Sequence, residues 1–338
     1  MDQIKNDEVI VVEGLTKVFN KTLTAVNNIN FSVKRGEIFG FLGPNGAGKT
    51  TTIKMLITVV HPTSGEAKIL GSDIAKQGRD VRAAIGVVPQ EYTADEDLTA
   101  MENIMLCADL YGIPRQVSKE RAMELLELVE LTPFRGKRVD TFSGGMRRRL
   151  ELACGLINRP KVLFLDEPTL GLDVQTRVAT WNYVKMLKKE FGMTLFLTTH
   201  YLEEADALCD RIAIIDHGKI VVIGTPSELK DSLGGDIIML SIQKAQQDIT
   251  ELICNIEHVK EVKRDKDRYT IKSSDGEVTA PLIIEALRKN GHIVTKLSLT
   301  KPTLNEVYMQ YTGRSMRDVE ESPSSVISQR ITLRRASR

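Results

Sequence analysis

The nine residues GPNGAGKTT at positions 43–51 decide the fold of this chain. They follow the apolar run EIFGFL (residues 37–42) and overlap the start of the helical pattern KTTTIKMLI (residues 49–57). Glycines let backbone N–H groups approach phosphate oxygens closely, and the start of a helix adds positive electrostatic potential. The pattern G-x-x-x-x-G-K-T therefore predicts a phosphate-binding loop between a buried strand and a helix.

Two side chains of this loop have specific expected roles. Lys49 is expected to reach the β and γ phosphates of a bound nucleotide, and the Thr50 hydroxyl is expected to bind magnesium. The predicted ligand is therefore ATP together with Mg²⁺. The other nucleotide-binding residues predicted in this segment are Gly43, Asn45, Gly46, Ala47, Gly48 and Thr51.

An acidic pair follows a second apolar run, in KVLFLDEP at residues 161–168. Two adjacent carboxylates at the end of a buried strand are costly unless a cation accompanies them. Asp166 is therefore predicted to hold magnesium, directly or through water. Glu167 is predicted to act as the general base that polarises the attacking water.

Polar residues also follow two other apolar runs. Gln90 comes after AIGVVP (residues 84–89), and His200 comes after TLFLTT (residues 194–199). Because the ends of parallel strands converge on one ligand crevice, both side chains are candidates for the same site. Gln90 can offer its amide oxygen to magnesium or to water, and His200 is a candidate catalytic residue.

The order of these runs predicts the domain organisation. Five apolar runs without in-and-out alternation, the four above and RIAIIDHG at residues 211–218, indicate a mainly parallel sheet covered on both faces, within a first domain over residues 1–230. Residues from about 98 to 158 show helical patterns only, which predicts an inserted helical subdomain. Residues 236–312 then show a β-α-β-β-α-β order, typical of a ferredoxin-like domain. Residues 313–338 are rich in Ser and Arg and are predicted to be disordered.

Composition excludes several classes of function. The chain has 46 Lys and Arg against 45 Asp and Glu, a net charge of +1, so it lacks the basic excess of a general nucleic-acid binder. Its four cysteines form no C-x-x-C pair, which argues against a zinc site. No apolar run reaches the roughly 18 residues that a membrane span requires, so a membrane role is expected to depend on a partner.

A second glycine pair occurs in TFSGGMRRRLELA at residues 141–153. Ser143 is a good N-cap for the following helix, and the exposed N–H groups beside Gly144 and Gly145 can bind an anion. By itself this pattern indicates only a capped helix start. The basic run at residues 147–149 is predicted to lie mostly on a solvated helix face.

Residues 9–229 resemble the ATP-binding subunits of ABC transporters, with six motifs in the order of that family. Residues 43–51 match the Walker A motif, and VLFLDE at residues 162–167 matches Walker B. FSGGM at residues 142–146 matches the signature loop, although Phe142 and Met146 replace the usual Leu and Gln. The remaining correspondences are Gln90 with the Q-loop, Asp173 with the D-loop, His200 with the switch histidine, and Phe19 with the aromatic residue that stacks on adenine.

The resemblance implies an α/β P-loop ATPase core of the ABC type, with an inserted helical subdomain and an α+β ferredoxin-like C-terminal domain. In that family two copies face head to tail, and the signature loop of each completes the nucleotide site of the other. Ser143, Gly144, Gly145 and Asp173 are therefore expected to contact nucleotide held by a second copy.

The extra domain resembles the exporter subfamily that includes daunorubicin-resistance ATPases. This implies a homodimer, or a pair with a related ATPase subunit, bound to a separate integral-membrane permease at the cytoplasmic face of the membrane. The helical subdomain, with Gln90 and residues 91–99, is expected to receive the permease.

Alternative classes are soluble ABC ATPases outside transport. A DNA-associated member would carry a long coiled coil or a zinc hook, and a ribosome-associated member normally carries two cassettes, whereas this sequence has neither feature. A non-enzymatic nucleotide sensor is a third alternative, against which Glu167 and His200 argue.

Overall fold

The structure, a computed structural model, describes residues 7–242, 248–265 and 268–314. Its contacts divide the chain into two compact units, with the boundary between Ile223 and Gly224. The predicted disorder beyond residue 314 lies outside the described residues. In chain order, the first unit contains β1 (Glu8–Phe19), β2 (Leu23–Lys34), β3 (Ile38–Leu42), α1 (Lys49–Leu56), β4 (Ser64–Ile69), β5 (Ser72–Asp73), α2 (Gly78–Ala84), β6 (Ile85–Val88), α3 (Ala100–Leu110), α4 (Arg115–Leu128), α5 (Gly144–Leu156), β7 (Val162–Asp166), α6 (Val174–Phe191), β8 (Thr194–Thr199), α7 (Leu202–Leu208), β9 (Arg211–Asp216) and β10 (Lys219–Gly224).

A six-stranded sheet in the order β10-β9-β3-β8-β7-β6 forms the centre of the first unit. Neighbouring strands from β9 to β6 are parallel. Every residue of β3, β7 and β8 is buried, as expected for strands covered on both faces. The five apolar runs of the sequence form β3, β6, β7, β8 and β9, which confirms the α/β prediction.

A second, antiparallel sheet in the order β2-β1-β4-β5 was not predicted from the sequence. Several register shifts interrupt the pairing of β1 with β2, so the alternation of buried and exposed residues along these strands is irregular. The Phe31 ring from β2 stacks on Phe39 of β3 with 5.5 Å between ring centroids, and it lies 5.9 Å from Phe196 of β8. This aromatic cluster joins the two sheets.

Helices occupy the chain between β6 and β7. Here α3, α4 and α5 pack on one another. Within this segment, all of which the structure describes, the only strand-like pairing is a single bridge between Thr99 and Arg138. Helix α3 starts with a capping box, in which Thr99 accepts from the Glu102 N–H and Glu102 accepts from the Thr99 N–H. Helix α5 of this segment packs against β6, the edge strand of the six-stranded sheet.

The second unit contains α8 (Pro226–Asp231), β11 (Asp236–Ile242), α9 (Thr250–Cys254), β12 (Val259–Asp265), β13 (Arg268–Ser273), α10 (Gly276–Lys289), β14 (Val294–Thr300) and α11 (Leu304–Thr312). Its sheet has the order β12-β13-β11-β14, with every neighbouring pair antiparallel. Sheet order and element order together confirm the ferredoxin-like α+β prediction. Helices α9 and α10 cover one face of this sheet, where Ile238, Leu240 and Ile271 form its core with Ile283.

The boundary between the units differs from the predicted residue 230. Helix α8, at residues 226–231, belongs to the second unit because it packs against α11 at the end of the ferredoxin-like fold. Thr225 caps α8 in a capping box with Glu228, so a new helix starts directly after β10. The apolar pattern of α8 alone gave no sign of which unit it joins.

Candidate functional site

The phosphate loop joins β3 to α1 in the predicted way. Lys49 folds back over the loop, and its Nζ donates to the carbonyl oxygens of Gly43 at 2.7 Å and Pro44 at 3.2 Å. Helix α1 begins after Gly48 and has no side-chain cap, so its first N–H groups remain available to an anion.

Two glycines of the loop are required by close backbone approach. A Cβ on Gly43 would lie 2.3 Å from the Ile215 carbonyl oxygen, and one on Gly48 would lie 2.5 Å from the Ala25 carbonyl oxygen. Gly48 also has a φ of +108°, which L side chains rarely adopt. The backbone can therefore curl as tightly as phosphate binding demands.

A cavity of about 230 Å³ opens over this loop. Residues from four separate stretches of the chain line it, so the fold brings Ala25, Gln90 and Glu167 to the phosphate loop. The lining residues are Ala25, Pro44, Asn45, Gly46, Gly48, Lys49, Thr50, Thr51, Gln90 and Glu167. The other predicted site residues lie behind or away from this cavity.

Asp166 lies at the end of β7, behind Thr50. Its Oδ1 accepts from the Thr198 hydroxyl at 2.6 Å and from the Thr50 hydroxyl at 3.3 Å. Burial raises the pKa of Asp166 even though these hydrogen bonds favour the ionised form, and the neighbouring charge of Glu167 raises it further. A buried carboxylate of this kind is stabilised by a cation.

Glu167 lies between two cationic or hydrogen-bonding partners. Its Oε1 is 3.1 Å from Lys49 Nζ, and its Oε2 is 3.1 Å from His200 Nδ1. Burial acts to raise the pKa of Glu167, but the His200 hydrogen bond and the Lys49 charge together hold it below its usual value. The Glu167 backbone has a φ of +48°, and its N–H donates to Thr198 Oγ1 at 3.1 Å.

The oxygen atoms around Asp166 are suitable ligands for magnesium. Mg²⁺ prefers oxygen ligands and is commonly held by one or two protein groups, water and substrate phosphates. Thr50 and Asp166 supply neighbouring oxygens, and the Gln90 amide is at the cavity wall. The described residues contain no group of three or more His, Cys, Asp and Glu side chains that could hold a metal without such additional ligands.

The second glycine pair begins α5, as predicted. Ser143 is the N-cap and accepts from the Met146 N–H at 3.3 Å. Ser143 and Gly144 are exposed, and none of residues 143–145 lines the cavity over the phosphate loop. The glycine pair therefore forms no part of the cavity over the phosphate loop of its own chain.

The prediction of a solvated basic face is wrong for Arg148. This residue is only 1% exposed, and its guanidinium donates to the carbonyl oxygens of Pro89 at 2.7 Å and Gln90 at 3.1 Å. One turn later Glu151, also buried, accepts from the N–H groups of Thr93 and Ala94. Arg148 and Glu151 of α5 thus form hydrogen bonds to both ends of the stretch at residues 89–94.

Asp173 and Phe19 lie outside the cavity lining. Asp173 is the exposed N-cap of α6 and accepts from the Thr176 N–H at 3.0 Å and hydroxyl at 2.6 Å. Phe19 ends β1 half-buried, with Lys17 Nζ 5.0 Å from its ring centre.

Sequence reasoning missed Thr198, although a threonine two residues before His200 at a strand end was a usable signal.

Comparison with known proteins gives two family matches. Residues 26–170 match the family described as ABC transporter, and residues 224–312 match the one described as ATP-binding protein DrrA1-3-like, C-terminal domain. Within the described residues no helix combines the length and apolar character needed to cross a membrane.

Several curated proteins are similar over nearly the whole chain. The doxorubicin resistance ATP-binding protein DrrA of Mycobacterium tuberculosis is 38% identical, covering 96% of this chain and 99% of that protein. The linearmycin resistance ATP-binding protein LnrL of Bacillus subtilis is 40% identical, covering 90% and 99%. The Nod factor export ATP-binding protein I of Sinorhizobium fredii is 35% identical, covering 94% and 90%.

Solved structures resemble about two thirds of the chain. CbiO1 from Clostridium perfringens, part of the transporter complex cbiONQ, has a TM-score of 0.61 and 27% identity, covering 66% of this chain and 90% of that one. A dimeric ATP-binding cassette in a post-hydrolysis state with ADP and Pi has a TM-score of 0.58 and 27% identity, covering 64% and 98%.

Proposed function

Because the chain belongs to the ABC transporter family, as an ATP-hydrolysing subunit of an exporter, we propose specific roles for its site residues. Lys49 and the N–H groups at the start of α1 bind the phosphates of ATP. Glu167 accepts a proton from the attacking water, and His200 holds the Glu167 carboxylate in place. The contact that carries this proposal is the placement of Glu167 between Lys49 and His200, 3.1 Å from each.

Magnesium is proposed to accompany ATP. The Thr50 hydroxyl and the Asp166 carboxylate would hold it, with Gln90 nearby, and when bound it offsets negative charge on the phosphates. Burial of Asp166 excludes bulk water from one side of this site. The Thr198 hydroxyl fixes the Asp166 carboxylate through its hydrogen bond at 2.6 Å.

The completed site is proposed to contain two copies of the chain. Ser143 and Gly144 are exposed and Gly145 is half-buried at the start of α5, whose first N–H groups can bind an anion, and the exposed Asp173 caps α6. A helix start with two glycines can approach phosphate closely, so ATP held by one copy would bind this surface of the other. Dimer formation then depends on ATP, and hydrolysis releases the dimer.

The membrane partner is proposed to be a separate integral-membrane permease that binds the helical segment. Leu106, Leu110 and Tyr111 at the end of α3 are large apolar side chains that stay exposed, Leu110 by 81%. Exposed apolar groups clustered on one element favour a protein contact. This contact would hold the chain at the cytoplasmic face of the membrane.

The proposed function is tested with a Glu167→Gln variant in light scattering after gel filtration. The variant should turn over ATP roughly 10²- to 10⁴-fold more slowly while still binding it. Its mass should double in Mg-ATP, and an additional Ser143→Arg should abolish the doubling. Ser227→Arg, at an exposed serine of α8, is the matched control and should leave it intact. A mass that Mg-ATP does not change contradicts the homodimer.

A further inference from the structure

Behind the pair formed by Glu167 and His200 lies a second link between the same two segments. The Thr169 hydroxyl donates to Glu204 Oε1 at 2.8 Å, and both residues are completely buried. Thr169 is two residues after Glu167, and Glu204 is four residues after His200. The chain after β7 and the chain after β8 are therefore joined once at the cavity and once in the interior.

A third segment meets the same carboxylate oxygen. The indole Nε1 of Trp181, on α6, donates to Glu204 Oε1 at 3.0 Å. One turn earlier on α6, the Arg177 guanidinium lies 4.3 Å from the ring centre of Tyr201. The Tyr201 ring in turn lies 4.0 Å from the His200 ring. Helix α6 thus contacts the segment after β8 at two residues that follow His200, Tyr201 and Glu204.

The start of α6 adjoins the second glycine pair. A Cβ on Gly145 would come within 2.7 Å of Thr176 Cγ2, so glycine allows the first turns of α5 and α6 to lie close together. Thr176 also donates to the helix cap Asp173. The surface proposed to face a second copy is therefore in direct contact with the helix that carries Trp181.

The Glu204 carboxylate is costly to bury. Burial raises the pKa of Glu204 even though polar contacts of Thr199, Thr169 and Trp181 favour the ionised form. Among the described residues its Oε2 has no hydrogen-bond partner. An apolar side chain of similar volume can fill a buried site without this desolvation cost. The contribution of Glu204 thus lies in the groups that it orients.

We propose that Glu204 is a positioning residue for ATP hydrolysis. By accepting from Thr169 and Trp181 it fixes the segment that carries Glu167, the segment that carries His200 and helix α6 in one arrangement. The separation between the Glu167 carboxylate and the His200 ring depends on this arrangement. The inference rests on the roles of Glu167 and His200 proposed above.

The first test replaces Thr169 by Val, which removes the hydroxyl and keeps the shape. We expect kcat to fall roughly 10- to 100-fold, because small displacements of reacting groups have effects of this size. The KM for ATP should stay within about twofold, since Thr169 does not line the cavity. Glu204→Leu should lower kcat at least as much, and Glu204→Gln, which keeps an oxygen acceptor, should restore it to within about threefold of wild type.

Trp181 supplies an independent readout because it is the only tryptophan of the chain. Its emission and its quenching by acrylamide should change in Glu204→Leu, which loses the indole partner. They should stay as in wild type in Thr169→Val and in Glu204→Gln. This pattern shows that a fall in kcat in Thr169→Val comes from the Thr169 link and not from general loosening of α6.

A folded Thr169→Val protein with wild-type kcat would overturn the proposal, as would a Glu204→Gln protein as slow as Glu204→Leu. If Thr169→Val lowered the melting temperature but had a normal kcat at temperatures where it stays folded, the network would serve stability alone and the proposal would fail. Glu167→Gln, measured alongside, separates the two levels of inference. If Glu167→Gln still turns over ATP normally, the proposed site roles fail; if it is inactive while Thr169→Val is normal, only the positioning role fails.

Discussion

Lys49 Nζ lies 3.1 Å from Oε1 of Glu167, so the side chain proposed to bind phosphate also contacts the proposed general base. Phosphate oxygens of a bound nucleotide would compete with the Glu167 carboxylate for this ammonium group. Lys49 is one of the groups that lower the pKa of Glu167. If a bound nucleotide drew Lys49 away, that lowering would weaken and Glu167 would become a stronger base, which would couple substrate binding to base strength through one side chain.

Replacement of Lys49 by Ala should weaken ATP binding. Charge-assisted hydrogen bonds contribute about 1.5–3 kcal/mol each, so the Kd for ATP should rise on the order of 10- to 100-fold. Titration with a fluorescent ATP analogue measures this change. Lys54→Ala, at an exposed lysine of the same helix, is the matched control and should bind as wild type. Equal affinity in the two variants would refute the assignment of Lys49.

Asp166→Asn should stabilise the metal-free protein. The pKa of the Asp166 carboxyl is higher in the folded chain than its ordinary 3.8. The folded protein therefore loses stability as the pH rises from the ordinary pKa through the folded pKa, and the ionised group remains unfavourable at neutral pH. Asn cannot ionise, and its oxygen still accepts from Thr198. In thermal unfolding at pH 8 with EDTA, Tm should rise relative to wild type.

The same variant should lose the additional rise in Tm that Mg-ATP gives to wild type, because an amide binds magnesium poorly. Asp109→Asn, at an exposed aspartate of α3, serves as the control and should show the wild-type response. A lower Tm for Asp166→Asn in EDTA would contradict the destabilising effect of the buried charge.

Glu151→Ala should release the segment after Gln90. The Thr93 and Ala94 N–H groups donate to Glu151 Oε1 at 2.5 and 2.8 Å, so both amides should exchange hydrogen at least 10-fold faster in the variant. Mass-spectrometric hydrogen exchange on peptides covering residues 90–96 measures this rate. Glu127→Ala, at an exposed position of α4, should leave it unchanged. Unchanged exchange in Glu151→Ala would show that α5 does not restrain this segment.

Leu110→Glu should separate ATP hydrolysis from membrane attachment. Leu110 is 81% exposed and remote from the cavity lining, so ATPase activity and Tm should stay within error of wild type. The fraction recovered with washed membranes should fall severalfold, because a buried unpaired carboxylate opposes the proposed permease contact. Leu23→Glu, at a position 64% exposed on β2, is the control. Full membrane recovery of Leu110→Glu would place the contact elsewhere.

Local patterns in the chain were sufficient for the central sheet and the phosphate loop. Strands buried on both faces need continuous apolar runs, and a loop that wraps phosphate needs Gly43 and Gly48 where a Cβ would strike backbone oxygens. Asp166 and Glu167 were recognisable because their strand ends beside that loop. These are properties of neighbouring residues, so the order of amino acids alone specifies them.

Contacts between segments that are distant in the chain could not be predicted from local sequence patterns. Arg148 looked like one of three solvated arginines, yet its guanidinium is buried against carbonyl oxygens some 58 and 59 residues away in the chain. Glu204, Thr169 and Trp181 showed no pattern of their own and meet only because three elements converge. The irregular antiparallel sheet and the placement of α8 also depend on long-range packing. A buried polar side chain requires partners, and only the folded chain determines which partners are within reach.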